Sequence, residues 1–171
     1  FDMATNEPLR GETHQGFSDD SSWARGQSWA VYGLALCYHY THEEAILPLF
    51  ERVTKYFIDH LPEDYVPYWD LIFSDGSCEP RDTSAAAIAA CGILEMEKYF
   101  HNQEFLDIAK KMMSSLSEKY TTVDYLQSNG IIKDGMYSRK HGHKSECTSW
   151  GDYFYLEALM RMKKSDWKIY W

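Results

Sequence analysis

The densest set of chemically capable side chains lies in Thr13-His14-Gln15-Gly16, Asp19-Asp20 and Trp23-Ala24-Arg25-Gly26-Gln27-Ser28-Trp29. Arg25 and Trp29 stand four apart, so on a helix they share a face. A guanidinium offers a planar fork that matches a carboxylate bidentately. An indole beside it can floor a sugar ring, whose flat CH faces stack on aromatic faces. The same spacing suits a plainer arrangement, which spacing alone favours: Arg25 pairs with Asp19 or Asp20 at a helix start, and Trp29 packs in a core. Asp19 and Asp20 have the residue type of a general acid pair, but adjacent side chains usually point apart. A second cluster, Gly135-Met136-Tyr137-Ser138-Arg139-Lys140 followed by His141-Gly142-His143, is basic and carries hydroxyls. It can hold an anionic group, or be a solvated basic loop in an acidic protein. His141, His143 and Cys147 have loose metal-like spacing without a fourth ligand, so no zinc site is expected. Trp69-Asp70 and Arg81-Asp82 occupy another loop; Trp69 suits a ligand wall or a core equally, and Asp82 reads as a helix cap.

The elements that must position these residues are helical. The chain has 171 residues, 44% of them hydrophobic and 25% charged, enough for one domain with a core of its own. Aromatic residues reach 16%, which suits both a core and a sugar-binding cleft. The net charge of −9 argues against nucleic-acid backbones and anionic membrane surfaces as partners. No apolar run approaches the length of a membrane span. Cys37, Cys78, Cys91 and Cys147 show no CxxC pattern, and read as reduced core or near-core thiols of a cytoplasmic protein. Phe1 is not a start methionine, which suggests a piece of something longer.

Residues 1–20 read as loop. A helix is expected from Trp23 to Tyr40, capped by Ser21 or Ser22 and apolar on nearly all sides, the mark of a buried helix. An amphipathic helix follows from about Glu43 to His60, with Pro48 in its first turns. After a loop over 61–81, Asp82 or Thr83 caps a second buried helix, Ser84 to Phe100, and a second amphipathic helix runs from Gln103 to Lys119. A long loop over 121–147 leads to a third buried helix, Thr148 to Lys163, and a tail ending in Trp167 and Trp171. The buried helices start near Ser22, Asp82 and Thr148, a repeat of about sixty residues. Alternating buried and half-buried helices describe inner and outer rings. Five helices do not close such a ring. The long loops gather at the rim where inner helices start, and a site belongs there.

These residues carry a resemblance. His14-Gln15-Gly16 with Asp19-Asp20-Ser21 and Trp23-Ala24-Arg25-Gly26-Gln27-Ser28-Trp29 resembles the signature of the unsaturated glucuronyl hydrolases, glycoside hydrolase family 88. Pro67-Tyr68-Trp69-Asp70 with Arg81-Asp82-Thr83-Ser84-Ala85-Ala86-Ala87 resembles the family's middle segment, and Glu146-Cys147-Thr148-Ser149-Trp150-Gly151-Asp152 with the helix that follows resembles its last. The match is colinear from about Thr13 to Arg161.

The resemblance implies an all-α fold, a partial (α/α)6 barrel or toroid built from repeated helical hairpins. The whole of 1–171 would be one domain, the C-terminal half of that barrel, with 1–20 as a rim loop. It implies a small unsaturated disaccharide as substrate, released from chondroitin or hyaluronan by lyases. An aspartic acid protonates the C4=C5 vinyl ether, water adds at C5, and the hemiketal releases the aglycone. The family's catalytic aspartates and helper histidine lie upstream of Phe1, so no catalytic residue is expected here and the missing N-terminal half is needed. Gln15 and Arg25 match the contacts to the uronate, and Trp29 the wall beside it. Tyr137, Ser138 and Lys140 fall where sulphate-accepting members resemble Ser-x-x-Ser-x-Lys, with Gly135 in place of the first serine. No metal or organic cofactor is implied. Two other readings are a catalytically empty carbohydrate-binding or remnant domain and an unsaturated rhamnogalacturonyl hydrolase; the first motif argues against the latter.

Overall fold

The computed structural model describes residues 1–164 and 166–169. Five α-helices account for its regular structure: α1 (Ala24–Thr41), α2 (Ile46–Asp59), α3 (Thr83–Met96), α4 (Gln103–Lys119) and α5 (Ser149–Lys163), with one 3₁₀ turn at Arg139–His141. Among the described residues there is no β-strand, only isolated bridges such as Trp23–Asp70 and Gly135–Glu146. The expected Trp171 lies outside the described residues; Trp167 is buried over Arg161, 4.4 Å from guanidinium carbon to ring centre.

Helix α3 lies between α1 and α5, with α2 against α1 and α4 against α3, the inner-and-outer arrangement that the sequence periodicity predicts. Its run Ala85-Ala86-Ala87 and Ala89-Ala90 lets flanking helices come close on every side, and all of these residues are buried. At the crossing with α1 a Cβ on Gly92 would stand 2.7 Å from the Cα of Tyr32, so only glycine fits there. Helices α1 and α5 are not covered all round, as the expected buried helices would be. They stand at the ends of the row, so Trp29 on α1 and Leu156, Leu159 and Met162 on α5 stay exposed.

Outer helices α2 and α4 show the ordinary amphipathic stripe, Phe50 and Phe57 on one and Phe105, Met112 and Leu116 on the other. Pro48 sits in the first turn of α2, where its missing N–H has no intrahelical partner to lose.

Local differences from the sequence expectations have identifiable causes. Trp23, not Ser21 or Ser22, holds the N-cap position of α1, because the chain there pairs with 69–71: Ala24 N donates to Trp69 O, and Leu71 N to Ser22 O. Ser21 and Ser22 donate instead to Asp70 and Tyr56. Asp82 occupies the N-cap position of α3 but makes no cap bond, because its carboxylate is taken by other groups. Thr148 does cap α5, accepting from Gly151 N, and Asn102 caps α4. Helix α3 ends at Met96, four residues early, in a turn where the Tyr99 and Phe100 amides both reach Met96 O. The four thiols are free, but only Cys91 is buried; Cys37 lies on the outward side of α1, and Cys78 and Cys147 are in exposed loops. No helix among the described residues is long and apolar enough to cross a membrane.

At the end away from the rim, a buried ionic cluster ties the three inner helices. Arg161 of α5 pairs with Glu95 of α3, and its Nε donates to Glu157 at 2.8 Å. Tyr32 of α1 donates to Glu157 at 3.0 Å, and Lys98 to Glu95 at 2.8 Å. Burial pushes the Glu95 carboxyl up, but Lys98 and Arg161 outweigh it and hold it below its ordinary value. A lowered carboxyl contributes stability that is complete above its unfolded-state value and is lost as pH falls through the folded one. Arg161→Met leaves Glu157 buried without a cation and leaves Glu95 with Lys98 but not Arg161, and should cost about 3–5 kcal/mol at neutral pH. The deficit relative to wild type should shrink on acidification, as Glu95 protonates. Denaturant titration of both proteins from neutral pH down through the carboxylate range checks the sign.

Candidate functional site

Three irregular segments meet above the starts of α1, α3 and α5, and acidic side chains pin them. Asp70, fully buried, accepts from Phe17 N and from Ser21 Oγ, both at 2.8 Å, and from Ile72 N at 3.1 Å. It thereby ties the first segment to the second. Gly16 is required at that contact, since a Cβ would meet Thr13 Oγ1 at 2.6 Å and Asp70 Oδ2 at 3.2 Å. Asp152 performs the same service for the third segment, accepting from the amides of Ile131 and Ile132. Asp19 accepts from Thr13 N at 2.9 Å, a bond that holds the loop. Trp69 is core: it is buried, and its Nε1 donates to Glu79.

The third acid, Asp82, pins a cation. Arg25 is 3% exposed, and its ion pair is with Asp82 at 3.2 Å, not with Asp19 or Asp20. Its Nη1 also donates to Met136 O at 2.8 Å and to Ser84 Oγ at 3.3 Å; its Nη2 donates to Tyr137 O at 2.5 Å and to Gln15 Oε1 at 3.4 Å. The indoles of Trp23 and Trp150 lie 4.8 and 5.1 Å from the guanidinium carbon. Burial lowers the Arg25 pKa and Asp82 opposes the shift; an arginine keeps its proton regardless. Burial likewise raises Asp82, with Arg25, Ser84 and the Met136 amide pulling it back.

Trp29 stands apart from this knot. Although four residues from Arg25, it is 37% exposed, with its edge toward Phe154 of α5 at 5.2 Å between ring centres. The half-buried Gln15 and the exposed Tyr137 border Arg25 on the solvent side. The Tyr137 ring packs near Trp150 and His143. Ser138 is buried, with its Oγ 2.6 Å from His141 Nδ1. Lys140 is exposed and donates to Thr13 O at 3.2 Å, bridging the first and third segments. An open cleft of about 410 Å³ lies between them, lined by Glu12, Thr13, His14, Lys140 and His141, with the two imidazoles 5.0 Å apart. Gly135 lies below: a side chain there would approach Thr148 Cγ2 to 3.0 Å and Glu146 O to 3.1 Å, which leaves little room for a serine. Among the described residues no three potential metal ligands gather.

The structure thus brings Gln15, Arg25 and Tyr137 together, sets Ser138 and Lys140 on the adjoining loop, and leaves Trp29 one helical turn below. Sequence reasoning missed Asp82 as the partner of Arg25, the two indoles around it, and His141. Asp82 carries no local signal for that role, since it is far from Arg25 in the chain.

Residues 1–165 match Glycosyl Hydrolase Family 88. The chain belongs to that family. It is 47% identical, over its full length, to an unsaturated chondroitin disaccharide hydrolase of Streptococcus agalactiae, and 38% identical, over 96% of its length, to an unsaturated glucuronyl hydrolase of Bacillus sp. strain GL1. It spans under half of each, 44% and 45%. Among solved structures it superimposes on a mutant unsaturated glucuronyl hydrolase of S. agalactiae complexed with dGlcA-GalNAc6S, with a TM-score of 0.89 and 47% identity, covering 100% of this chain and 47% of that one. It also superimposes on an unsaturated glucuronyl hydrolase specific for heparin, with a TM-score of 0.85 and 29% identity, covering 94% of this chain and 45% of that one. These neighbours are (α/α)6 barrels, and the family 88 chain described here forms part of one.

Asp70 is the joint between the first two rim segments. Asp70→Ala removes the acceptor of two backbone amides and one hydroxyl, and should cost about 1–3 kcal/mol. Limited proteolysis should then cut selectively within residues 10–20, with the helical core intact.

Proposed function

We propose that this chain is the C-terminal half of an unsaturated glucuronyl hydrolase, a cytoplasmic enzyme that hydrates the C4=C5 bond of unsaturated uronyl disaccharides released by lyases from chondroitin or hyaluronan. The observation that carries the reading is the 47% identity, sustained over the whole chain, to a chondroitin disaccharide hydrolase. Four free thiols, three of them exposed, support a reducing compartment.

In this reading the conjugated carboxylate of the uronate meets the Gln15 amide and the Nη2 edge of Arg25, the longest and therefore most exchangeable of that guanidinium's bonds. Trp29 walls the sugar. Tyr137, Ser138 and Lys140 face the second sugar, Lys140 supplying the charge that a sulphate would meet. The proton that starts vinyl-ether hydration comes from an aspartic acid of the other half. The exposed strip of Leu156, Leu159 and Met162 on α5 supports a need for that half, since an inner helix of a closed ring has neighbours on both flanks.

The chain alone should therefore bleach no unsaturated disaccharide absorbance, while the complete enzyme should, and mixing the chain with its N-terminal half should restore turnover. General acid catalysis contributes roughly 10²–10⁴-fold, so turnover by the chain alone within ten-fold of the complete enzyme would refute the division of labour.

In the complete enzyme, Lys140→Ala should lower kcat/KM for a sulphated chondroitin disaccharide by roughly ten-fold, the scale of one charge-assisted hydrogen bond. The unsulphated substrate should be affected by less than about two-fold. Added salt should erode the same preference, since Lys140 is exposed. An equal loss on both substrates would mean that Lys140 only bridges to Thr13 and supports the loop.

A further inference from the structure

The two members of the buried pair grip a single loop residue, Met136, through both its N–H and its carbonyl. Asp82 Oδ1 accepts from Met136 N at 3.4 Å, and Arg25 Nη1 donates to Met136 O at 2.8 Å. The next carbonyl, that of Tyr137, is held by Nη2 of the same guanidinium. Residues 137–140, the loop that carries Tyr137, Ser138 and Lys140, therefore leave the core in a direction that the orientation of Arg25 helps to set. The loop is also tied by Arg139 to Glu79, Lys140 to Thr13, Ser138 to His141 and the Tyr137 ring against Trp150, and its base is closed by the Gly135–Glu146 backbone pair and by Thr83 N donating to Asp134 O.

The orientation of Arg25 is in turn a matter of charge. Its neighbours are two indole faces, two carbonyls, a hydroxyl and an amide oxygen, all neutral, and Asp82. A cation out of water that cannot lose its proton needs an anion beside it. Asp82 is wholly buried, and Ser84 Oγ, at 2.5 Å from its Oδ1, turns the other oxygen toward the guanidinium. An uncharged group of the same size in its place would leave Gln15 and the solvent beyond it as the better surroundings for the cation, and the two carbonyls would lose their donors together.

We propose that Asp82 is a positioning residue. It holds Arg25 so that the guanidinium clamps the peptides of Met136 and Tyr137, and it thereby fixes the loop at 137–140 relative to Gln15. This deepens the reading given above, and its kinetic consequence rests on that reading.

Asp82→Asn keeps the size and one acceptor but removes the charge. In the complete enzyme, hydrogen exchange of residues 134–146 should rise by roughly ten-fold or more, the scale set by losing charge-assisted hydrogen bonds. Exchange in α1, α3 and α5 should stay as in wild type. KM for the unsaturated disaccharide should rise by a similar factor, with kcat changed by less than about three-fold. In an Arg25→Ala background the same substitution should add less than about two-fold to KM, because the two residues act as one unit. A uniform rise in exchange across all helices, an unchanged loop, or a full additional effect in the Arg25→Ala background would overturn the proposal. If Asp82→Asn does not fold, Arg25→Lys serves in its place. It keeps the buried ion pair but lacks the second arm, so loop exchange should rise with the helices protected; wild-type loop exchange in that variant would overturn the proposal equally. A complete enzyme that turned over no unsaturated disaccharide would refute the functional reading, while loop exchange would still decide the role of Asp82.

Discussion

A guanidinium carries five N–H donors and a charge it cannot discard, so burying one obliges the surrounding fold to supply both acceptors and an anion. Arg25 sets that demand at the rim of this molecule. The acceptors come from three segments far apart in sequence: Gln15 from the first loop, Asp82 and Ser84 from the start of α3, and the carbonyls of Met136 and Tyr137 from the loop before α5. Satisfying one side chain therefore assembles the rim. The two indoles around it exclude water and strengthen each of those bonds by lowering the local dielectric.

The opposite end of the inner helices is organised by a second arginine with a different balance. Arg161 has two carboxylates, Glu95 and Glu157, in place of one carboxylate and two carbonyls. Both clusters connect elements of the inner layer, and between them lies the alanine-rich face of α3, which has no polar specificity of its own. Close packing of small side chains brings the helices near; the ionic clusters at the two ends determine their register. The outer flank of α5, with Leu156, Leu159 and Met162, is apolar and exposed.

Much of this was legible in the linear sequence, and the reason is locality. Helical periodicity, the Thr148 cap and the helix-starting segments depend on residues within a few positions of one another, and α4 and α5 fall within a residue of where the pattern puts them. The division into inner and outer helices follows from which stretches are apolar all round and which on one face. The family signatures were equally readable, because they are continuous strings. Where local reasoning failed, a distant partner had intervened. Trp23 replaced the serines as the N-cap of α1 because residues 69–71 captured the backbone there, and α1 and α5 kept an open face because a helix has no record in its own sequence of standing at the end of a row.

The sequence by itself determined the helical repeat, the membership of the fold class and the residues gathered at the rim, all properties of short-range pattern. Tertiary structure alone decided what those residues do to one another. Arg25 and Trp29 share a spacing, yet one is buried between two indoles and the other is partly exposed. Asp82 has the local look of a cap and became a counter-ion, because burial makes a nearby unpaired cation costlier than an uncapped amide. Burial is a property of the assembled ring segment, and no window of sequence contains it.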